Sequence, residues 1–204
     1  MSQRSRLEFF FDCSSPWTYL AFTRIHDVIE RTKAVVVWKP ILVGGVFNEV
    51  NRDVYERRAN PDPRKSEYYA KDLVDWARFT GIDIGRPPVF PVNSVKAMRG
   101  ALIALDDGKL VPYVTAVFEA YWGDLLDISQ SDILGPVAQR CGYDAASFLS
   151  RIEDSAIKAR LRANTDELIT RGGFGSPTMF VNGEDMYFGN DRLPLVEAAL
   201  ARGA

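Results

Sequence analysis

The segment from Phe9 to Ala21 constrains the fold more than any other part of this chain. Three phenylalanines read as a buried strand, and they run through a short polar step into Ser15-Pro16. Proline is favoured in the first turn of a helix, and the apolar spacing after Pro16 is helical. The Ser15 hydroxyl is therefore expected at a helix N-terminus, where free backbone N–H groups and the helix dipole stabilise negative charge.

The flanking sequence extends this segment to a βαβ unit. Residues Arg6–Phe11 predict a buried strand, Pro16 begins a helix that continues to about Arg31, and Ala34–Trp38 predicts a second strand that Lys39-Pro40 stops. A strand, a helix and a strand in this order imply a parallel pair with a right-handed crossover.

The rest of the chain divides into a helical middle and a second strand region. Residues 44–171 contain several helical patterns, at 68–80, 94–105, 110–122, 133–140, 144–154 and 155–171. Pro177–Val181 then predicts a strand, Asn182-Gly183 a two-residue hairpin turn, Glu184–Phe188 an antiparallel strand and Asp191–Ala201 a final helix.

The predicted fold class is therefore α/β, with one four-stranded sheet made from the two ends of the chain. A domain of residues 1–43 plus 172–204 holds the sheet, and residues 44–171 form a helical insertion domain.

Composition narrows the function. The net charge is −2 with no basic block, so nucleic-acid binding has little electrostatic support. No apolar run is long enough to span a membrane, and the N-terminus lacks a signal-peptide pattern. Two distant cysteines, Cys13 and Cys141, favour a reduced cytoplasmic protein, and with the single His26 they are too few and too scattered for a zinc site.

Four stretches together resemble a known family. They are Phe11–Ala21, Tyr68–Leu73, Phe174–Phe180 and Phe188–Leu193. In this order and spacing they are similar to 2-hydroxychromene-2-carboxylate isomerases and to the related kappa-class glutathione transferases, which have the DsbA-type thioredoxin fold with a large helical insertion. Disulfide oxidoreductases of that fold carry Cys-x-x-Cys where this chain has Ser15-Pro16-Trp17-Thr18, so the redox pair is missing.

The resemblance implies a glutathione site centred on Ser15, whose hydroxyl donates a hydrogen bond to the glutathione sulfur. Such a donor, together with the helix dipole, lowers a thiol pKa from about 8.5. Ser15 as a simple helix cap is the alternative. Thr18 occupies the position of the resolving cysteine and cannot form a disulfide.

Other cofactor residues follow from the same resemblance. Pro177 is expected to be cis, which presents the Ser176 backbone to an extended peptide; a trans proline that only begins a strand is the alternative. The turn of Phe188, Gly189, Asn190 and Asp191 is expected to hold the γ-glutamyl end, although Asn and Asp are also good helix caps. Lys65 is similar to a lysine that contacts the glycyl carboxylate, with a solvated surface lysine as the alternative.

Four residues are candidates for binding a second, aromatic substrate, and they are Lys39, Phe47, Asn48 and Asn93. Each follows a strand or lies in a loop, where side chains can face a cleft. Cys13 is interpreted as a small buried hydrophobe, with a mixed disulfide to glutathione as the alternative. His26 is interpreted as a packing residue, so a Ser-His-Asp triad is not expected.

The function implied is glutathione-dependent cis–trans isomerisation of 2-hydroxychromene-2-carboxylate or a similar aromatic-degradation intermediate, in a cytoplasmic homodimer. Thiolate addition would make a double bond single, and elimination would restore it after rotation. A transferase or peroxidase acting on electrophiles is the second hypothesis. A thioredoxin-fold binding module without catalysis is the third.

Overall fold

A computed structural model describes residues 4–202. The strands are β1 (Arg6–Phe11), β2 (Val35–Pro40), β3 (Thr178–Val181) and β4 (Asp185–Phe188). The helices are α1 (Pro16–Thr32), α2 (Val43–Val50), α3 (Asp53–Ala59), α4 (Pro63–Thr80), α5 (Val95–Asp106), α6 (Leu110–Phe118), α7 (Ser131–Arg140), α8 (Ala145–Ile152), α9 (Ser155–Thr170) and α10 (Leu193–Arg202). A π-helical turn, Glu119–Gly123, extends α6, and a 3₁₀ turn, Asn190–Arg192, precedes α10.

The four strands form one mixed sheet in the order β2-β1-β3-β4. Strand β1 pairs in parallel with β2 and antiparallel with β3, and β4 is antiparallel to β3. This confirms the α/β thioredoxin-like architecture expected from the sequence. Because β1 is central, its residues 7–11 are all buried.

Alternation along β1 separates the two faces of the sheet. Phe9 and Phe11 belong to the main hydrophobic cluster, which also contains Phe22 of α1 and Met98 of α5. Phe10 points to the opposite face, where it packs in a smaller cluster with residues of α2 and α9. The main cluster thus draws on both segments that the sequence divides into domains, and the boundary between those domains stays a prediction.

One local expectation was wrong. The β3–β4 connection has three residues rather than two, since Val181 pairs with Asp185. Asn182 and Gly183 adopt φ angles of 51° and 90°, the left-handed region that these residue types tolerate, and Glu184 is the additional residue. In addition, helices α2 and α3 were not predicted. Helix α2 is only eight residues long, although Val43, Val46 and Phe47 have helical spacing, and α3 has no buried residue.

No helix within residues 4–202 combines the length and the apolar character that crossing a membrane would need.

Candidate active site

A large cavity lies where α1 begins, and its volume is about 1050 Å³. Its walls come from the β1–α1 turn, α2, α3, the start of α4, the loop before α5 and the loop before β3. The residues that line it at these places include Ser14, Ser15, Trp17, Val43, Phe47, Tyr55, Arg57, Arg58, Lys65, Tyr69, Phe90, Asn93, Ser94, Phe174, Ser176 and Phe188.

Ser15 is the N-cap residue of α1. Its side-chain oxygen accepts a hydrogen bond from the Thr18 N–H (3.3 Å), and Pro16 occupies the first turn as the sequence indicates. The same hydroxyl donates to the backbone carbonyl of Ser176 (3.1 Å). The positive end of the α1 dipole and the Ser15 hydroxyl therefore meet at the cavity wall.

The hydroxyl of Thr18, the residue at the second cysteine position of the Cys-x-x-Cys pattern, pairs with the hydroxyl of Ser176. Their side-chain oxygens lie 2.8 Å apart in a buried hydrogen bond, and the Ser176 oxygen also accepts from the Asp12 N–H (3.0 Å). The Ser176–Pro177 peptide bond is cis, as expected from the sequence.

Asp12 does not line the cavity, but its carboxylate accepts hydrogen bonds from three segments that do. Its side chain is fully buried, and one carboxylate oxygen accepts from the Ser14 N–H (2.9 Å). The other accepts from the Val43 N–H (2.8 Å) at the start of α2 and from the Ser94 hydroxyl (3.0 Å) just before α5. Burial raises the pKa of Asp12, and hydrogen bonds from Ser14, Val43 and Ser94 oppose that shift. We call Asp12, Ser14, Ser15, Ser94 and Ser176 the cavity floor.

Another part of the wall is formed by α3 and the first turns of α4, and we call it the cavity roof. Helix α3 contains no buried residue. Lys65 and Asp62 both line the cavity, and the Lys65 N–H donates to the Asp62 side chain (3.1 Å), which caps α4. The roof therefore contributes mainly exposed polar and cationic side chains.

The structure brings six of the sequence-predicted site residues to the cavity. They are Ser15, Phe47, Lys65, Asn93, Ser176 and Phe188. The others, which do not line it, are Lys39, Asn48, Pro177, Gly189, Asn190 and Asp191.

Three of these residues, Gly189, Asn190 and Asp191, lie in the turn between β4 and α10. Gly189 donates its N–H to the Pro177 carbonyl (3.1 Å), and Asp191 is paired with Arg192 (2.8 Å). Asn190 is buried, and within the described part of the chain its side-chain oxygen has no hydrogen-bond partner. A buried polar atom of this kind is costly unless a ligand or water satisfies it.

Lys39 and Asn48 have other partners. The Lys39 ammonium forms an ion pair with Glu167 (2.8 Å) and lies 5.9 Å from the centre of the Phe10 ring, on the sheet face that packs against α9. Asn48 accepts hydrogen bonds from Tyr55 (2.8 Å, side chain) and Arg52 (2.6 Å, backbone). The structure thus does not bring these two residues to the cavity.

Sequence reasoning missed four groups at the site, namely Tyr55, Arg57, Arg58 and Ser94. The first three lie on the unpredicted helix α3, so no pattern indicated which way they face. Ser94 was visible as the first residue of the helical pattern 94–105, but its hydrogen bond to Asp12 spans 82 positions.

The remaining candidates have packing environments. Cys13 is fully buried, and burial raises its pKa well above the usual value, with the Asp12 charge adding to the shift. Both cysteines are free thiols. His26 packs against Phe22 and Trp38, and burial lowers its pKa. Residues 4–202 contain no cluster of three or more His, Cys, Asp or Glu side chains suited to a metal ion.

This arrangement defines a thioredoxin-like protein with a serine at the nucleophile position. The DSBA-like thioredoxin domain family matches residues 6–201. A 2-hydroxychromene-2-carboxylate isomerase of Pseudomonas putida is 30% identical over 204 residues, which cover 96% of this chain and 94% of that protein. Glutathione S-transferase kappa 2 of Caenorhabditis elegans is 31% identical over 218 residues, covering 98% and 94%.

Solved structures agree with these similarities. A structure of 2-hydroxychromene-2-carboxylate isomerase superposes with a TM-score of 0.80 at 28% identity, covering 97% of this chain and 95% of that chain. A probable DsbA oxidoreductase from Streptomyces coelicolor reaches 0.79 at 16% identity, covering 98% and 89%, and shows the same fold. The chain belongs to the DSBA-like thioredoxin family and, within it, to the group of 2-hydroxychromene-2-carboxylate isomerases and kappa-class glutathione transferases.

Proposed function

We propose that this protein is a glutathione-dependent cis–trans isomerase of 2-hydroxychromene-2-carboxylate or a similar aromatic-degradation intermediate. The observation that carries the proposal is the Ser15 hydroxyl at the N-terminus of α1, bonded to the residue before a cis proline on the wall of a large cavity. Relatives that bear the names of this isomerase and of glutathione transferases support the choice of cofactor and reaction.

Glutathione, when bound, would supply a thiolate that adds to a conjugated double bond and leaves again after rotation. The residues fit such a cofactor, because an anion-stabilising helix end, the Ser15 hydroxyl and the unpartnered side-chain oxygen of Asn190 lie around the cis-proline turn. In this proposal Ser15 donates its hydrogen bond to the sulfur instead of to the Ser176 carbonyl. The Ser176 backbone pairs with the cofactor's peptide.

The same proposal gives roles to the residues at the two ends of the cofactor. The turn of Phe188, Gly189, Asn190 and Asp191 binds the γ-glutamyl end, with the Asp191 carboxylate facing an ammonium group. Lys65 on the roof binds the glycyl carboxylate. Phe47 and Asn93 line the part of the cavity left for the aromatic substrate.

A kappa-class transferase or peroxidase activity is the second candidate. Lys65 lies on the cavity wall in the Pro63-Arg64-Lys65 stretch that resembles that class, and a kappa enzyme is 31% identical to this chain, beside 30% for an isomerase. An assay with 2-hydroxychromene-2-carboxylate beside one with a chromogenic aryl halide distinguishes the two activities.

The test is a thiol titration and a turnover measurement with the Ser15→Ala variant. We expect isomerase turnover to fall about 100-fold, as for removal of one donor to a reactive anion, and the pKa of bound glutathione, followed by thiolate absorbance, to rise. The Ser150→Ala variant, which removes an exposed hydroxyl on α8 away from the lining residues, is the control. Unchanged turnover and titration in Ser15→Ala would refute the role of Ser15, and absence of glutathione binding to the wild type would refute the proposal.

The proposal includes a homodimer in the cytoplasm. Both cysteines are free thiols, which suits a reducing compartment. Sedimentation of the purified protein and fractionation of the source cells test these two points separately.

A further inference from the structure

The cavity roof carries positive charge that the protein itself leaves unpaired. Arg57, Arg58 and Lys65 line the cavity, and the acidic lining residue there is Asp62, which caps α4. Among residues 4–202, none of the ion pairs involves any of these three cations. The roof is therefore suited to an anionic ligand.

Arg58 differs from its neighbour Arg57 in what surrounds it. The central carbon of the Arg58 guanidinium lies 5.6 Å from the centre of the Phe47 ring and 5.4 Å from the centre of the Phe90 ring. Arg57 instead donates a long hydrogen bond (3.4 Å) to the side chain of Asn51. Both distances at Arg58 are within the range of cation–π contacts.

Two aromatic contacts orient a guanidinium without using up its donors. Arginine is weakly hydrated and stacks well on aromatic faces, while its five N–H groups remain in the plane of the fork. That fork matches the two oxygens of a carboxylate. Phe47 on α2 and Phe90 before α5 both line the cavity, so the charge and two aromatic rings occur together on its wall.

We infer that Arg58 is a specificity-determining residue that binds the carboxylate of the second substrate, with Phe47 and Phe90 packing against the conjugated part of the same molecule. The inference rests on the proposed function, in which the substrate is a planar carboxylate. In this inference Arg58 takes the place of Lys39 as the cation that binds the substrate, because the Lys39 ammonium is paired with Glu167 away from the cavity.

The direct test is a binding comparison that needs no turnover. In the presence of glutathione, 2-naphthoate and 2-naphthamide are titrated into the wild type, Arg58→Gln and Arg58→Lys, because the two probes share their shape and differ in the carboxylate. We expect the wild type to prefer the naphthoate and Arg58→Gln to lose about tenfold in naphthoate affinity, the effect of a charge-assisted hydrogen bond at a partly exposed site. Naphthamide affinity should change less than threefold in both variants. The naphthoate affinity of Arg58→Lys should lie between those of the wild type and Arg58→Gln.

Arg64→Gln is the matched control. Arg64 is exposed on α4, is not among the lining residues and carries the same charge, so its loss should leave the naphthoate preference unchanged. In the isomerase assay, Arg58→Gln should raise KM for the carboxylate substrate about tenfold with kcat within threefold, since uniform binding is lost.

Three outcomes would overturn the inference. They are a wild type that binds both probes equally, an Arg58→Gln variant that keeps the naphthoate preference, and an Arg58→Gln variant that loses glutathione affinity instead. The last outcome would assign the guanidinium to a glutathione carboxylate. If the proposed isomerase reaction fails while the naphthoate preference depends on Arg58, the carboxylate site stands without that reaction.

Discussion

The floor of the cavity is made of buried and half-buried groups that hydrogen-bond to one another, whereas the roof is made mainly of exposed side chains. On the floor, one Asp12 carboxylate accepts from Ser14, Val43 and Ser94, and the Ser176 hydroxyl links Asp12 to Thr18. On the roof, α3 buries no residue, and Arg58 reaches other segments through two aromatic rings.

This difference separates two tasks. The floor positions the Ser15 hydroxyl and the helix end, and any change there disturbs several segments at once. The roof presents cations to whatever enters the cavity, and its side chains can be replaced at little cost to folding. We therefore expect floor substitutions to alter stability and reaction rate, and roof substitutions to alter which ligands bind.

The largest effect is expected for Asp12→Ala. This change leaves two backbone N–H groups and the Ser94 hydroxyl without an acceptor, and each unsatisfied buried donor costs about 1–3 kcal/mol. Partial hydration of the new space reduces the sum, so we expect a loss of about 3 kcal/mol in the free energy of unfolding in urea. Ser94→Ala, which removes one donor, should cost about 1 kcal/mol. A loss below 1 kcal/mol for Asp12→Ala would mean that the floor is not held by this carboxylate.

The pH dependence of stability tests the same carboxylate. Burial raises the folded-state pKa of Asp12, while the unfolded value lies near ~3.9. The stabilisation linked to this group is thus complete below the unfolded pKa and is lost as pH rises through the folded pKa. The unfolding free energy of the wild type minus that of Asp12→Asn should fall as the pH increases from the unfolded pKa to above the folded pKa. A difference that grows with pH would show that hydrogen bonding outweighs burial.

A smaller effect is expected for Lys65 on the roof. Lys65→Gln removes one exposed charge from the end of the cavity that we propose for the glycyl carboxylate of glutathione, and exposed ion pairs contribute about 0.2–1 kcal/mol. Calorimetry should show glutathione affinity reduced about two- to fivefold, more at low salt than at high salt, with thermal stability unchanged. A loss of folding stability in this variant would contradict the expectation that roof substitutions alter ligand binding and not stability.

The smallest effect is expected outside the cavity. Lys39→Met removes the partly exposed ion pair with Glu167, which should reduce the free energy of unfolding by about 0.5 kcal/mol. Isomerase turnover should stay within twofold of the wild type, since the Lys39 ammonium lies on the sheet face packed against α9. A large drop in turnover would return Lys39 to the substrate site that the sequence predicts for it.

Much of the fold could be predicted because its signals are local. The phenylalanine run of β1, Pro16 after a polar capping residue, and the strand pattern around Pro177 each lie within a few positions. Their order then leaves few sheet topologies. Helix α3 escaped prediction because seven residues with no buried face carry no periodic pattern. The hairpin length was wrong because Asn182-Gly183 specifies left-handed backbone but not the number of residues in the loop.

The sequence by itself determined that Ser15 lies at the N-terminus of a helix, that a strand follows Ser176-Pro177, and that no Cys-x-x-Cys motif is present. Only the tertiary structure decided which polar side chains meet there. Asp12 and Ser94 are 82 positions apart. The sequence pointed to Lys39 and not to Arg58 as a cation of the substrate site, whereas the structure pairs Lys39 with Glu167 of α9 and brings Arg58 to the cavity wall. Capping and strand formation depend on neighbours along the chain, whereas the partner of a side chain depends on how distant segments pack.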